Sequence, residues 1–196
     1  MAQSSHETEI KLEMADAKTA RRLLLAAGFR VSRPRVFEVN TVFDTPELSH
    51  RQAATLLRVR EAGGTGTVTY KGPPVTGRHK SREELEVELA DAAAMAAILG
   101  RLGFQPTWRY EKYRTEFRQP RRAGIAMLDE TPIGVYLELE GTAPWIDRTA
   151  RRLGFRETDY NTGSYGSLYR EWCGRRGRKA GDMVFLAMIN QLGSEV

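Results

Sequence analysis

From Glu7 to Met14 the chain alternates: Glu7, Glu9, Lys11 and Glu13 share one parity, Thr8, Ile10, Leu12 and Met14 the other. A period of two is the repeat of a β-strand, so this segment carries a charged face behind a mostly apolar one. The same alternation predicts strands over 56–61, 67–71, 79–89, 107–118, 125–130 and 135–140. Gly63-Gly64-Thr65-Gly66 joins the first two of these as a hairpin, and Pro132 to Gly134 is a second tight turn. Residues 29–44 hold Val31, Val36, Phe37, Val39, Val42 and Phe43 and read as β-rich, interrupted at Pro34. The stretch from Asp44 to Leu48 reads as a turn.

Helical signals fall between these strands. Asp16 is placed to cap a helix over 17–25 that Gly28 ends, and Asp91 to cap one over 92–102 that Gly103 ends. Both stop on a Gly-Phe pair, and a basic pair two residues apart lies in the strands after each, a faint internal duplication. Helical spacing also predicts helices over 145–153, 163–172 and 182–192. Hairpins interspersed with a few helices predict an α+β, largely antiparallel domain over 1–174. A basic linker and a C-terminal helix, 175–196, follow it; that helix is expected to pack on the domain or on a second copy in a homodimer.

With 196 residues, 41% of them apolar and 28% charged, the chain is long enough and mixed enough to bury a core. A net charge of +5 admits a polyanionic partner. Much of that excess is local, at Arg121-Arg122, Arg175-Arg176 and Arg178-Lys179, so nucleic acid is not the expected partner. The single cysteine, Cys173, excludes an internal disulfide and a cysteine-rich zinc site. The absence of a long apolar run and of an apolar leader predicts no membrane span and a cytoplasmic setting. His6, His50 and His79 are scattered and fit no metal spacing.

Taken singly, each charged strand face is what a solvent-facing strand shows. Jointly they say more, because the opposite faces supply enough apolar residues for a core on the outside. A closed antiparallel sheet would then gather basic and acidic groups in its interior. Buried charges must be paired or bound to ions. Many cations call for a multiply charged anion, and arginine suits phosphate geometry. Carboxylates beside that anion call for divalent cations, with hard oxygen donors favouring Mg²⁺ or Mn²⁺.

Glu7-x-Glu9-x-Lys11, Arg58-x-Arg60, Lys71, Arg82-Glu83-Glu84, Lys112-x-Arg114, Asp129 and Glu138-x-Glu140, in that order, resemble the CYTH family of triphosphate tunnel metalloenzymes. That family includes class IV adenylate cyclases, thiamine triphosphatases and inorganic tripolyphosphatases. The likeness spans residues 5–172, including the stretch from Ser164 to Tyr169. It implies a closed eight-stranded antiparallel β-barrel flanked by helices, open at both ends, with a triphosphate along its axis. On this resemblance Lys11, Arg58, Arg60, Lys71, Arg82, Lys112 and Arg114 would grip phosphate. Glu7, Glu9, Glu84, Glu86, Asp129, Glu138 and Glu140 would hold one or two divalent ions, and Glu7, Glu9 and Lys11 would serve catalysis.

The expected activity is metal-dependent hydrolysis of a triphosphate, inorganic tripolyphosphate first. The alternatives are a cyclase converting ATP to cyclic AMP and diphosphate, or a non-catalytic polyphosphate- or nucleotide-binding module. Against the cyclase, the stretch from Asp129 to Tyr136 holds a single glycine where the better-marked cyclases show Gly-Leu-Gly. For thiamine triphosphate, Trp108, Tyr110 and Trp145 are the aromatic residues a mouth of the tunnel could recruit.

Overall fold

A computed structural model describes residues 3–185. The first strand, β1 (Gln3–Met14), leads into α1 (Ala17–Ala26), whose start is set by Thr19 N–H donating to Asp16 Oδ1 at 2.7 Å. After α1 come β2 (Arg30–Asp44), a single turn α2 (Ser49–Gln52), the hairpin β3 (Leu56–Ala62) and β4 (Thr65–Lys71), and a short β5 (Val75–Thr76). Then follow β6 (Lys80–Leu89), α3 (Ala92–Arg101) capped by Asp91, β7 (Gln105–Arg118), β8 (Ile125–Thr131) and β9 (Gly134–Glu140). The helices α4 (Ala143–Arg152) and α5 (Tyr165–Gly174) close the described chain.

Eight strands pair in the order β1-β9-β8-β7-β2-β3-β4-β6 and return to β1, antiparallel throughout, while β5 adds a short pairing to β6. The join is staggered. The first half of β1 runs beside β6, with Glu7 opposite Arg82 and Glu9 opposite Lys80. Its second half runs beside β9, with Lys11 opposite Glu138. Such an offset lets tilted strands close a barrel and leaves no bare edge.

The apolar faces point outward. Ile10 and Leu12 of β1, Leu137 and Leu139 of β9 and Leu128 of β8 form the main core with Leu24 of α1 and Trp145 and Ile146 of α4. Each such side chain, fully buried, contributes about 1.5–3 kcal/mol. A second cluster sets α3 (Leu99) against Val59 of β3 and Phe43 of β2. With the core outside, the charged parity has only the interior left, and this is what positions the site.

The turns from α1 into β2 and from α3 into β7 repeat one device. Gly28 (φ +78°) and Gly103 (φ +92°) take the left-handed conformation, and the next residue, Phe29 or Phe104, donates back to Leu24 or Leu99, each at 3.0 Å.

The structure departs from the sequence-based elements at four places. Pro34 does not interrupt β2; bulges between Val31 and Val36 absorb it, and the strand runs on. The turn after Asp44 tightens into α2, because Asp44 accepts the backbone N–H groups of Thr45, His50 and Arg51. The helix expected from Gly163 begins only at Tyr165, with Ser164 as its cap. Asp182 to Phe185 is not helical: Met183 bridges to β7, accepting from Glu111 N–H at 2.9 Å and donating to Arg109 O at 3.0 Å. The remainder of that expected helix, 186–192, lies outside the described residues. No helix among the described residues is long and apolar enough to cross a membrane.

Candidate active site

Inside the barrel lies a cavity of about 1300 Å³. Its wall takes Arg58 and Arg60 from β3, Lys71 from β4, Lys80, Arg82, Glu84 and Glu86 from β6, and Lys112 and Arg114 from β7. Glu7 and Glu9 of β1 and Glu138 and Glu140 of β9 complete it. Two of the residues expected at the site, Lys11 and Asp129, are buried behind this wall and do not line the cavity.

The charges sort into two linked groups. On one side, Lys11 Nζ lies 3.1 Å from Glu9 and 3.0 Å from Glu138, and Lys80 Nζ donates to Glu9 at 2.9 Å. Lys71 donates to Glu7 at 2.7 Å and to Glu84 at 3.0 Å. Burial works to lower the pKa of Lys11, but Glu138 and Glu9 hold it above the ordinary value, so it stays an ammonium. Glu140 has the opposite fate: burial, together with Glu7 and Glu138, pushes its carboxyl up to about 7.

On the other side, Asp129 gathers the cations of β7. It accepts Lys112 at 2.9 Å, Arg114 through both oxygens at 2.6 and 2.5 Å, and the Tyr165 hydroxyl at 2.6 Å. Arg114 also donates to Glu138, linking the two groups. Arg58 donates to Tyr110 and Thr69, and Arg60 to Asn40 at 3.0 Å. Burial opposes ionisation of Glu138, yet Lys11 and Arg114 keep it well below the usual carboxylate range.

Several residues here carry no mark in the strand motifs. Glu38 and Asn40 of β2 are wholly buried inside the barrel, and Tyr165 reaches in from α5 with Lys11 and Lys112 lying 5.3 and 5.2 Å from its ring centre. A signal for Glu38 and Asn40 exists: they alternate with Phe37 and Val39. Tyr165 falls in the Ser164 to Tyr169 stretch of the resemblance, but its place in the interior depends on how α5 docks.

Aromatic residues crowd one mouth. Trp108 stacks on Tyr110 at 4.7 Å and lies near Tyr169 at 6.5 Å, while Tyr169 stacks with Trp172 at 6.2 Å. The Trp108 indole donates to Gly181 O, so the tail crosses beside this ladder. Trp145 is not at the mouth. It packs in the outer core, edge-on to Phe29.

The interior suits a hard divalent cation by its donors. Glu7, Glu9, Glu138 and Glu140 supply carboxylate oxygens from the paired strands β1 and β9. Among the described residues no three His, Cys, Asp or Glu side chains form a ready-made cage, because lysines and Arg114 now hold most of these oxygens. Metal and anion would therefore exchange with these ion pairs together.

The CYTH domain family model matches residues 5–157. A protein of Methanocaldococcus jannaschii named "Putative adenylate cyclase MJ0240" is 31% identical over 134 residues, 68% of this chain and 75% of that one. Among solved structures, PH1012 of Pyrococcus horikoshii OT3 superposes with a TM-score of 0.71 at 25% identity, covering 83% of this chain and 98% of that one. The Hippeastrum protein HpAC1, described as having a dominant triphosphatase activity, superposes with a TM-score of 0.61 over 89% of this chain and 97% of its own, and at 18% identity shows likeness of fold. Motif order, closed barrel and charged interior agree with these matches, and the chain belongs to the CYTH domain family.

Proposed function

We propose that this protein is a metal-dependent phosphohydrolase acting on a triphosphate, with inorganic tripolyphosphate as the first substrate. The observation that carries this reading is the ring of cations aimed into one cavity, Arg58, Arg60, Lys71, Lys80, Lys112 and Arg114, interleaved with carboxylates that suit a divalent ion. Choice of tripolyphosphate rests on the mouth. Trp108 is stacked against Tyr110 and Tyr169, and Tyr169 against Trp172, so the ladder spends its faces on itself and offers little platform to a base or a thiamine ring.

In this reading the arginines take phosphate oxygens through paired N–H groups, and Lys71 and Lys112 add point charge where the leaving diphosphate develops it. Glu7, Glu9, Glu138 and Glu140 would hold Mg²⁺ or Mn²⁺, with Glu84 and Glu86 in an outer role, and the ion would supply neutralisation of phosphate charge. Glu7 or Glu9 accepts the proton of the attacking water as its oxygen bonds to the terminal phosphorus and the bridging P–O bond to the departing diphosphate breaks. Lys11 bridges Glu9 and Glu138 and orients both. Asp129 supports an orienting role for Lys112 and Arg114 from the same layer.

The relative from Methanocaldococcus jannaschii favours one second reading, conversion of ATP to cyclic AMP and diphosphate. A panel of tripolyphosphate, ATP and thiamine triphosphate with Mg²⁺ or Mn²⁺ separates the two, following phosphate and cyclic AMP with Glu9→Ala as control. Metal-dependent phosphate release from tripolyphosphate, lost in the variant, is the expected result. Cyclic AMP with diphosphate would establish the cyclase, and tight binding without turnover would leave a binding module.

A further inference from the structure

Four of the cations facing the cavity, Arg58, Arg60, Lys112 and Arg114, stand on β3 and β7, the strands either side of β2. Beneath them, on β2, lies Glu38, with no part of it exposed and no place on the cavity wall. Its Oε2 is 3.6 Å from Lys112 Nζ and 3.7 Å from Arg60 Nε, and neither carboxylate oxygen accepts a hydrogen bond. The hydrogen bonds of these cations go elsewhere, from Lys112 Nζ to Asp129 and from Arg60 Nε to Asn40. Glu38 therefore acts on them as a near charge and not as a hydrogen-bond acceptor.

A buried carboxylate without hydrogen bonds is costly, and a neutral side chain of the same size would fill this space. Burial opposes its ionisation, but Lys112, Arg114, Arg60 and Arg58 hold its carboxyl down at about 2, so it is an anion throughout the working range. It is thus a fixed negative charge on the far side of the cations that would hold phosphate. Two anions that share one layer of cations oppose each other, and inside a barrel little solvent screens them.

We propose that Glu38 is a positioning residue that sets how firmly the tunnel grips phosphate. Resting on the phosphate reading above, it acts through Lys112 and Arg60. With the tunnel empty it keeps the like-charged side chains together. With an oligophosphate bound it competes for the same charges and weakens the hold, so that the diphosphate product leaves.

The proposal has a sign that a purely structural role lacks. Losing a wall-building residue weakens ligand binding, whereas losing Glu38 strengthens it. Calorimetric titration of inorganic diphosphate into wild type and Glu38→Gln, in Mg²⁺, reads this directly. The expected result is about a tenfold or larger fall in Kd, with kcat and KM for tripolyphosphate falling together as release slows. Asn40→Asp supplies the opposite sign and carries the test if Glu38→Gln does not fold. Asn40 is also wholly buried and accepts from Arg60, so an added charge there should weaken diphosphate binding. Binding by Glu38→Gln that is equal or weaker, or by Asn40→Asp that is equal or tighter, overturns the proposal while leaving the phosphate reading intact. A wild-type protein that binds neither diphosphate nor tripolyphosphate overturns both.

Discussion

Replacing Asp129 by asparagine tests whether the interior is organised around this carboxylate. Asp129 is wholly buried and accepts four hydrogen bonds, one from Lys112, two from Arg114 and one from Tyr165. Asparagine keeps the shape but turns one oxygen into an NH₂ group facing donors, and it removes the charge that balances two cations. Breaking a buried ion pair costs about 3–5 kcal/mol. Arg114 keeps Glu138, and Lys112 keeps Glu38 at 3.6 Å, so the lower end applies. At about 2–4 °C per kcal/mol for a domain of this size, a loss near 3 kcal/mol lowers Tm by about 6–12 °C.

Calorimetric melting at neutral pH reads the change, once in EDTA and once in Mg²⁺. The expected fall is the same in both, because the lost bonds are to side chains. A Tm within about 2 °C of wild type would refute the hub. A loss seen only in Mg²⁺ would instead make Asp129 a metal ligand.

Tyr165→Phe keeps the ring beneath Lys11 and Lys112 and loses the bond to Asp129, whereas Tyr165→Leu loses both. With cation–π contacts worth about 0.5–2 kcal/mol, KM for tripolyphosphate should rise several-fold more in the leucine variant, and equal KM values would sink that role. Glu140 gives a pH signature: its folded pKa of about 7 lies above the ordinary 4.5, so the metal-free protein binds more protons than its unfolded chain between these values. Stability should therefore fall as pH rises from 4.5 through 7, and urea titrations of Glu140→Gln should lack that component of the slope. Gly124 lies against the indole of Trp145, and a Cβ there would stand 2.2 Å from it. Gly124→Ala should cost about 1–3 kcal/mol in urea denaturation, and an unchanged midpoint would show that the indole moves freely.

Much of this site is legible from alternation alone. Glu7, Glu9, Arg58, Arg60, Lys112, Arg114, Glu138 and Glu140 were assigned to strand faces by parity, and the strands place those faces inside. Asp16 and Asp91 likewise cap the helices their positions announce. Parity could not separate Lys11 from Lys80: both share the inward face, but Lys11 is buried behind the wall and Lys80 is on it. Nor could spacing find Asp182 to Phe185, whose apolar and polar order resembles a helix. They lie extended along β7 because β8 pairs only with Tyr113 to Arg118, leaving backbone groups nearer Arg109 to be satisfied by the tail.

What the sequence by itself determined is therefore one-dimensional: which residues share a strand face, where helices start, and that the inward set mixes both signs of charge. The tertiary structure decided which of those charges meet. Closure brings β1 against both β6 and β9, so Glu9 meets Lys80 of β6 while Lys11 meets Glu138 of β9, and it sets Glu38 between β3, near β2 in sequence, and β7, far from it. A period of two is a property of the local backbone and survives in any fold. Register and stagger are relations between strands, set by the packing of the outer core, and no local pattern carries them.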